Sequence, residues 1–237
     1  MAGKSYRIAL VDSTLDGRYD RTVQLPYSRV ADTLAIDRDG DGRFDARDYT
    51  AAEVQPLPKL VAVGEEYYAF RPAADGSTIR IEKAATAMGT LDVGSAGVEL
   101  MLMSENGTMR LAPKQATCRL PVGRYSCWWL RLTRKDAQGT EWTIQSTGEV
   151  GKLKDFEIRE GRVTAFRPAS PLRVRTEARP AISFFGRRVS IGLSITDDAN
   201  VEYSAAVQKG GVRASAPSLK VLDESGKVLA SGKFEFG

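Results

Sequence analysis

The chain has 237 residues, 42% of them hydrophobic and 27% charged, and these proportions indicate a folded protein rather than a disordered one. It contains no histidine, which removes Ser-His-Asp and Cys-His catalysis and histidine-ligated zinc, so we do not expect an enzyme. No apolar run is long enough to cross a bilayer as a helix, and we expect no membrane span.

Charge is unevenly distributed along the chain. Residues 1–94 carry 12 Lys and Arg against 15 Asp and Glu, a net −3, and residues 95–237 carry 22 against 15, a net +7. An acidic first part and a basic second part indicate two domains, which we divide where Gly and Ser accumulate around residues 91–97. The basic residues are scattered singly and form no nucleic-acid-binding motif, so we expect no nucleic-acid partner.

A strand-like apolar segment, residues 6–11, opens the chain and leads into an Asp-rich stretch, residues 12–23. The same arrangement recurs 25 residues later (37 − 12), where an apolar segment leads into residues 37–48. We call residues 12–23 the first loop and residues 37–48 the second loop. The chain therefore contains an internal repeat of a strand followed by an acidic loop.

The second loop has aspartates at positions 1, 3, 5, 9 and 12, namely Asp37, Asp39, Asp41, Asp45 and Asp48. Gly42 at position 6 permits the sharp positive-φ turn that wraps a chain around an ion, and Arg43 would offer its carbonyl. This spacing resembles an EF-hand calcium loop, and Asp at position 12 resembles the dockerin type. The resemblance implies bound Ca²⁺, with Phe44 anchoring the loop to a core. The alternative is a solvated Asp/Gly-rich turn without an ion.

The first loop is a degraded copy of the second. Its matching residues are Asp12, Asp16, Gly17, Arg18 and Asp20. Position 3 is Thr14 and position 12 is Val23, which cannot ligate a cation. Three interpretations remain open: a weaker calcium site, a loop that lends Asp12 or Asp16 to the ion of the second loop, or a purely structural hairpin.

The segments after the loops are predicted as a short helix and a hairpin. Residues 45–54 favour a short exit helix, which Pro56 and Pro58 would end. Residues 67–70 and 78–82 favour two strands of a hairpin. Because each loop follows a strand rather than a helix, the resemblance to EF-hand proteins covers the loop alone and does not imply calmodulin-like signalling.

From Val98 onward, short apolar segments alternate with Gly-, Asn- and Asp-containing turns, which predicts an antiparallel β-sandwich. Leu120-Pro121-Val122-Gly123-Arg124-Tyr125 is similar to the L-P-x-G-x-Y turn of transthyretin-like and carboxypeptidase-regulatory-like sandwich domains. We therefore expect a mostly β protein, with a small β-rich calcium-loop domain at 1–94 followed by an immunoglobulin- or transthyretin-like β-sandwich at 95–237.

The two cysteines, Cys118 and Cys127, flank this turn. A hairpin centred on Val122 and Gly123 would place them opposite each other, within reach of a disulfide. A disulfide would indicate export to an oxidising compartment. The alternative is two free buried thiols in a cytosolic core.

Four aromatic residues lie close together in the sequence: Tyr125, Trp128, Trp129 and Trp142. Sandwich modules that bind carbohydrate stack exposed Trp and Tyr rings on sugars, so these residues are candidates for ligand contacts. Trp128 and Trp129 must point to opposite faces of a strand. The alternative is that all four pack in the core or between domains.

These features favour a non-enzymatic, extracytoplasmic structural or interaction module, located in the periplasm, on the cell surface or in the medium. Ca²⁺ would order its first domain, and its partner would be a cell-surface protein or polysaccharide. Because residues 1–4 lead directly into a strand-like segment, we expect no signal peptide in this sequence, which fits either a cytoplasmic protein or a mature or recombinant fragment of an exported one. The alternative function is a carbohydrate-binding accessory module, and an enzyme comes third.

Overall fold

The computed structural model describes residues 5–23, 31–45, 53–63, 66–112, 115–151, 153–168, 171–183, 186–204 and 207–234. Strands predominate among these residues, and the single helix among them is four residues long. No helix in this part of the chain is both long and apolar enough to cross a membrane. The protein is mostly β with several antiparallel sheets, which confirms the expected fold class.

The described residues form twenty-one strands and one helix. The first eleven strands are β1 (Ile8–Val11), β2 (Thr33–Ile36), β3 (Val54–Pro56), β4 (Leu60–Val63), β5 (Glu66–Pro72), β6 (Ile79–Lys83), β7 (Met88–Asp92), β8 (Val98–Ser104), β9 (Gly107–Leu111), β10 (Thr117–Pro121) and β11 (Gly123–Lys135). They are followed by β12 (Glu141–Thr147), α1 (Gly148–Gly151), β13 (Phe156–Ile158), β14 (Val163–Ala165), β15 (Arg173–Ser183), β16 (Gly186–Thr196), β17 (Glu202–Tyr203), β18 (Gln208–Lys209), β19 (Val212–Arg213), β20 (Ser218–Leu222) and β21 (Val228–Lys233).

The chain divides into two compact units, and β11 contributes residues to both. The first unit comprises residues 1–128 and 154–166, and the second comprises residues 129–153 and 167–237. This division does not coincide with the predicted domains 1–94 and 95–237. The physical reason is strand pairing: β7, which ends at Asp92, forms its antiparallel ladder with β10, beyond the predicted boundary.

The first six strands form two three-stranded antiparallel sheets, β1-β2-β3 and β4-β5-β6, which we call the N-terminal sandwich. Burial alternates along β4, where Val61 and Val63 are buried, and along β5, where Tyr68 and Phe70 are buried, so one face of that sheet is buried. The buried cluster between them consists of Leu34, Ile36, Leu57, Val61, Val63, Tyr68 and Phe70. The predicted hairpin of residues 67–70 and 78–82 is confirmed as β5 and β6. The second loop follows β2 directly and is therefore anchored to this core.

The remaining strands of the first unit form a second layer of pairings. β7 lies between β10 and β14, antiparallel to β10 and parallel to β14. β8 pairs with β9, and the start of β11 pairs with β13. The fully buried side chains of these strands include Leu100, Leu120, Tyr125 and Ile158, which belong to the hydrophobic core.

The two cysteines do not face each other across a hairpin. Cys118 lies on β10 opposite Leu91 of β7, and the first residues of β11 pair with β13. The expected β10–β11 hairpin pairing is therefore wrong, and the register that suggested a disulfide is not the one observed. A disulfide between Cys118 and Cys127 stays a prediction. Burial raises the pKa of the Cys118 thiol to about 11, which disfavours its reactive thiolate form at neutral pH.

The second unit is built on long antiparallel pairs. The end of β11 pairs with β12, and β18 joins β12 on its other side and pairs with β19. β15 and β16 form an eleven-residue ribbon, to which β17 adds a short third strand. β20 and β21 form a separate two-stranded sheet.

Candidate metal centre

The second loop brings three carboxylates together directly after β2. One side-chain oxygen from each of Asp37, Asp39 and Asp41 lies within 4.8 Å of those of the other two. Asp37 is only 6% exposed, whereas Asp39 and Asp41 are exposed to solvent. Three carboxylates this close repel one another, and carboxylate oxygens are the ligands that hard divalent cations prefer. This cluster is the candidate metal centre.

Asp37 also organises the backbone of the loop. Its Oδ1 accepts a hydrogen bond from Gly40 N at 2.7 Å, and its Oδ2 accepts one from Gly42 N at 3.0 Å. Both glycines have positive φ, 83° and 81°, a region that costs other residues energy because of their Cβ atoms. A carboxylate oxygen that accepts one hydrogen bond retains a lone pair, so Asp37 can hold the turn and a cation together.

The exposed aspartates Asp39 and Asp41 stabilise turns of the loop, because each accepts a hydrogen bond from the backbone N–H group two residues later. Asp39 Oδ1 accepts from Asp41 N at 3.1 Å, and Asp41 Oδ1 accepts from Arg43 N at 2.8 Å. Each bond fixes one carboxylate oxygen against the backbone. The regular spacing of these turns explains why side chains at alternate positions converge.

Glu53 is a residue of this site that the sequence analysis missed. It precedes β3 and is only 7% exposed. Its Oε1 accepts from Arg38 N at 2.8 Å and Asp39 N at 3.4 Å, and its Oε2 accepts from Asp45 N at 3.1 Å. The bond from Asp45 N is the main cause that lowers the pKa of Glu53. Glu53 therefore holds the second loop at two places, at Arg38 and Asp39 near its start and at Asp45 further along.

Arg7, just before β1, holds the loop from the other side. Its Nη1 donates to the carbonyl of Gly42 at 2.6 Å, and its carbonyl accepts from Asp37 N at 3.0 Å. Its guanidinium lies 5.6 Å from the centroid of the Phe44 ring. Phe44 is half-buried, so this cation–π contact, rather than full burial in a core, positions its ring.

The other predicted ligands of the second loop are Asp45, Asp48 and the carbonyl of Arg43. Asp45 is exposed, and its described contact is the backbone bond to Glu53. Asp48 and most of the predicted exit helix lie within residues 46–52, outside the described residues. Ligation by Asp45, by Asp48 and by the carbonyl of Arg43 therefore stays a prediction.

The first loop repeats the same hydrogen-bond pattern. Asp12 Oδ2 accepts from Gly17 N at 2.7 Å, as Asp37 does from Gly42. Asp16 Oδ1 accepts from Arg18 N at 3.0 Å, as Asp41 Oδ1 accepts from Arg43 N in the second loop. The internal repeat seen in the sequence is therefore a repeat of loop conformation.

The first loop differs from the second in how its charge is balanced. Asp20 accepts two hydrogen bonds from Arg18, at 3.0 and 2.8 Å, and Asp16 forms an ion pair with Arg21. Thr14, at the third position, donates its hydroxyl to Asp12 at 3.2 Å instead of offering a carboxylate. Arg18 and Arg21 supply the positive charge that an ion would supply. This favours the interpretation of the first loop as a purely structural hairpin.

The two loops lie at opposite ends of one strand pair. In the antiparallel register, Val11, before the first loop, is opposite Thr33, and Ile36, before the second loop, is opposite Ile8. Four strand residues span roughly 10 Å at about 3.4 Å per residue. This separation disfavours the interpretation in which Asp12 or Asp16 of the first loop completes the ion site of the second.

The first loop is docked on the turn between β5 and β6. Tyr19 N donates to the carbonyl of Ala74 at 3.0 Å. The Tyr19 ring lies against Gly76, where a Cβ would be 2.8 Å from Tyr19 Cδ2. Tyr19 stands where Phe44 stands in the second loop. The first loop thus joins the two sheets of the N-terminal sandwich.

Three of the candidate sugar-binding aromatics lie on β11. Tyr125 is fully buried and donates its hydroxyl to the carbonyl of Pro121 at 2.7 Å, so the prediction that it contacts a ligand is wrong. Trp128 and Trp129 are half-buried and, as neighbours in a strand, point to opposite faces. The Arg131 guanidinium lies 4.9 Å from the Trp129 ring centroid. These residues do not form one stacking surface.

The fourth aromatic, Trp142, is half-buried in the second unit. Its Nε1 donates to Asp136 Oδ2 at 2.8 Å, and Lys209 Nζ lies 5.1 Å from its ring centroid. The polar edge of the indole is satisfied within the protein, and a cation occupies one of its faces. The arrangement gives the carbohydrate-binding alternative no advantage over the calcium module.

Comparison of the chain with protein-family models, with curated proteins and with solved structures found no match. The resemblances to EF-hand loops and to transthyretin-like sandwiches therefore rest on their short motifs alone. The functional argument depends on the geometry of the second loop.

Proposed function

We propose that this protein is a non-enzymatic calcium-binding structural or interaction module, in which Ca²⁺ bound by the second loop orders the N-terminal sandwich. The observation that carries the proposal is the convergence of Asp37, Asp39 and Asp41 to within 4.8 Å. In contrast to the first loop, no described ion pair neutralises these three carboxylates. A bound cation supplies the missing positive charge.

The chemistry of the loop favours Ca²⁺ over Mg²⁺. Ca²⁺ takes six to eight oxygen ligands in flexible geometry, whereas Mg²⁺ demands a near-ideal octahedron and keeps several waters. A loop with five aspartates within residues 37–48 and a carbonyl at Arg43 offers more protein oxygens than Mg²⁺ uses. We therefore expect the site to select the larger ion.

A structural role follows from where the loop is attached. Asp37 follows β2 and Glu53 precedes β3, so the loop spans two adjacent strands of one sheet. Leu34 and Ile36 of β2 belong to the core of the N-terminal sandwich. An ion that fixes the loop therefore also fixes the strand that carries these core residues. Binding to the native state alone raises its stability.

A location outside the cytoplasm, with a cell-surface protein or polysaccharide as partner, belongs to the same proposal. Extracellular calcium modules typically bind with Kd of about 10⁻⁴ to 10⁻³ M, because extracellular calcium is abundant. Two of the three clustered carboxylates are exposed, which suits modest affinity. A Kd in that range supports the proposed location, and a submicromolar Kd would argue for a cytosolic role.

Calorimetric titration of the full chain with Ca²⁺ tests the proposal. Wild type is expected to bind one ion, and Asp41→Ala should lose the binding heat because it removes a ligand from the cluster. The matched control is Asp223→Ala. Asp223 is an aspartate of a similar turn, whose Oδ1 accepts from Ser225 N at 2.9 Å, and it lies in the second unit. Equal binding heats for wild type and Asp41→Ala would contradict the assignment.

A further inference from the structure

β15 and β16 form a ribbon with two chemically different faces. One face, which we call the apolar face, carries Val174, Thr176, Ala178, Pro180, Val189, Ile191, Leu193 and Ile195. The other, the basic face, carries Arg173, Arg175, Glu177 and Arg179 of β15. Val174 is 66% exposed and Val189 is 65% exposed, so the described residues leave part of the apolar face uncovered.

The outer edge of β15 is open among the described residues. β15 is an edge strand that pairs with β16 alone, and residues 173–180 are exposed. Pro180 has no N–H and is tolerated where its nitrogen faces away from the neighbouring strand. The carbonyl oxygen of Glu177 lies 3.9 Å from the position that a Cβ would take on its partner Gly192. The backbone N–H and C=O groups of the odd-numbered residues of β15 therefore point toward β16. The outward-facing N–H and C=O groups are those of Val174, Thr176 and Ala178.

A pocket of about 230 Å³ lies on the apolar face beside this edge. It is lined by Val174 and Ile195 of the ribbon and by Leu132, Trp142 and Ile144 of β11 and β12. An apolar cavity of about 150 Å³ is large enough to bind benzene. The pocket therefore has room for a large aliphatic or aromatic side chain.

The basic face determines the charge of a partner. Arg173 pairs with Asp198 at 2.8 Å, and Arg179 pairs with Glu177 at 2.7 Å. Among the described residues, the ion pairs of this face involve Arg173 and Arg179 and none involves Arg175. An acidic residue on a neighbouring strand would lie directly beside it. The four residues of this face, three arginines and one glutamate, carry a net charge of +2, so two copies of the edge would bring like charges together, which disfavours a second copy of the chain.

We propose that the outer edge of β15 binds an extended segment of another protein, in which large apolar residues alternate with acidic ones. The segment adds to the sheet as a further strand, with one apolar side chain in the pocket and an acidic side chain beside Arg175. Main-chain hydrogen bonds supply affinity, and the alternation supplies specificity. Every residue involved belongs to the second unit, so this binding is independent of the second loop in the first unit.

The test uses a capped heptapeptide with glutamate at odd positions and leucine or phenylalanine at even positions, titrated calorimetrically into the full chain. Wild type is expected to bind it. Val174→Lys places a charge at the pocket and should weaken binding by at least about tenfold. The matched control is Val189→Lys, which changes an equally exposed valine on β16 and should leave the affinity unchanged.

A charge exchange tests the role of the basic face. Arg175→Glu should weaken binding of the glutamate peptide and improve binding of the same peptide with lysine in place of glutamate. Lys220→Glu on β20 is the control for a general change in net charge and should affect neither peptide. Hydrogen exchange should show new protection at the amides of Val174, Thr176 and Ala178 when the glutamate peptide is bound.

Three results would overturn the proposal. The first is no binding of the glutamate peptide to wild type at millimolar concentration. The second is an equal loss of affinity in Val174→Lys and Val189→Lys, which would show a non-specific apolar contact. The third is a concentration-dependent dimer in sedimentation that Val174→Lys abolishes, because a second copy of the chain would then be the occupant.

Discussion

Leu15 and Gly40 stand at equivalent positions of the two loops, 25 residues apart, and both have positive φ, 57° and 83°. Glycine adopts this conformation freely, whereas leucine pays for the approach of its Cβ to the following carbonyl oxygen. The Leu15 side chain is 91% exposed, so little apolar burial offsets this strain. The first loop thus keeps the backbone conformation of the second loop with a residue that does not suit it.

We expect Leu15→Gly to stabilise the protein by about 0.5 to 1 kcal/mol, because relief of the left-handed strain exceeds the extra entropy of glycine in the unfolded chain. Urea denaturation measures the difference. Leu15→Ala is the control, since it removes the side chain but keeps the strained backbone, and it should give no gain. A gain of equal size in Leu15→Ala would mean that the exposed side chain, and not φ, is responsible.

Glu53 gives the site a pH dependence. Hydrogen bonds from the N–H groups of Asp45, Arg38 and Asp39 hold its pKa below the ordinary value of 4.5, although burial and the charge of Asp37 act in the opposite direction. Because the folded-state pKa is depressed, the ionised carboxylate stabilises the fold above pH 4.5. That contribution is lost as the pH falls through the folded-state pKa.

Glu53→Gln should therefore cost on the order of 1 to 3 kcal/mol at neutral pH, where the charged acceptor is replaced by a neutral one. The stability curves of wild type and variant should converge as the pH falls below 4.5. Urea denaturation of metal-free protein across this pH range measures both effects. Two parallel curves would show that ionisation of Glu53 makes no contribution to stability.

The candidate site was only partly predictable at the level of residues. Asp37, Asp39 and Asp41 were found because their convergence depends on local turn geometry, which alternate spacing in the sequence reveals. Glu53 and Arg7 were missed because they contact the loop from adjacent segments of the sheet. The loop sequence alone does not predict which strands pair or in what register.

Among the strands and loops, antiparallel pairing of β1 with β2 determines which part of the structure each loop contacts. It places them at opposite ends of the pair, where the first docks on the β5–β6 turn and the second forms the acidic cluster. The sequence repeat alone leaves open that both loops serve one ion. The register separates the starts of the two loops by the length of the strand pair and disfavours this interpretation.

Gly76→Ala tests the docking of the first loop. At φ 70°, an added Cβ would be strained and would lie 2.8 Å from Tyr19 Cδ2. We expect a loss of about 2 to 3 kcal/mol, since left-handed strain and overpacking both contribute. Urea denaturation measures this loss.

The matched control for this change is Gly17→Ala, at φ 78° with no atom within 4 Å of the added Cβ. Gly17→Ala should introduce the backbone strain without a clash with Tyr19, so its loss of unfolding free energy should be smaller than that of Gly76→Ala. Removing the ring in Tyr19→Ala should cancel the difference between the two glycine variants. An unchanged difference in the Tyr19→Ala background would refute contact with Tyr19 as the cause.

For the chain as a whole, composition and turn frequency were enough to predict a mostly β protein, because alternation and turn residues are local signals. They did not predict which strands pair. The turn at Val122 suggested a β10–β11 hairpin, yet β10 pairs with β7 and the start of β11 pairs with β13. Such pairings join segments far apart in sequence, and for this reason the predicted domain boundary and disulfide geometry differ from the structure.

The central claim is that the second loop binds calcium through Asp37, Asp39 and Asp41. The most direct measurement is the anomalous diffraction of crystals grown with millimolar Ca²⁺ and excess Mg²⁺. We predict a calcium signal with oxygens of these three aspartates at about 2.3 to 2.6 Å, the range of calcium–oxygen bonds. An ordered second loop with no anomalous signal, or with an octahedral ion at about 2.1 Å, would contradict the account.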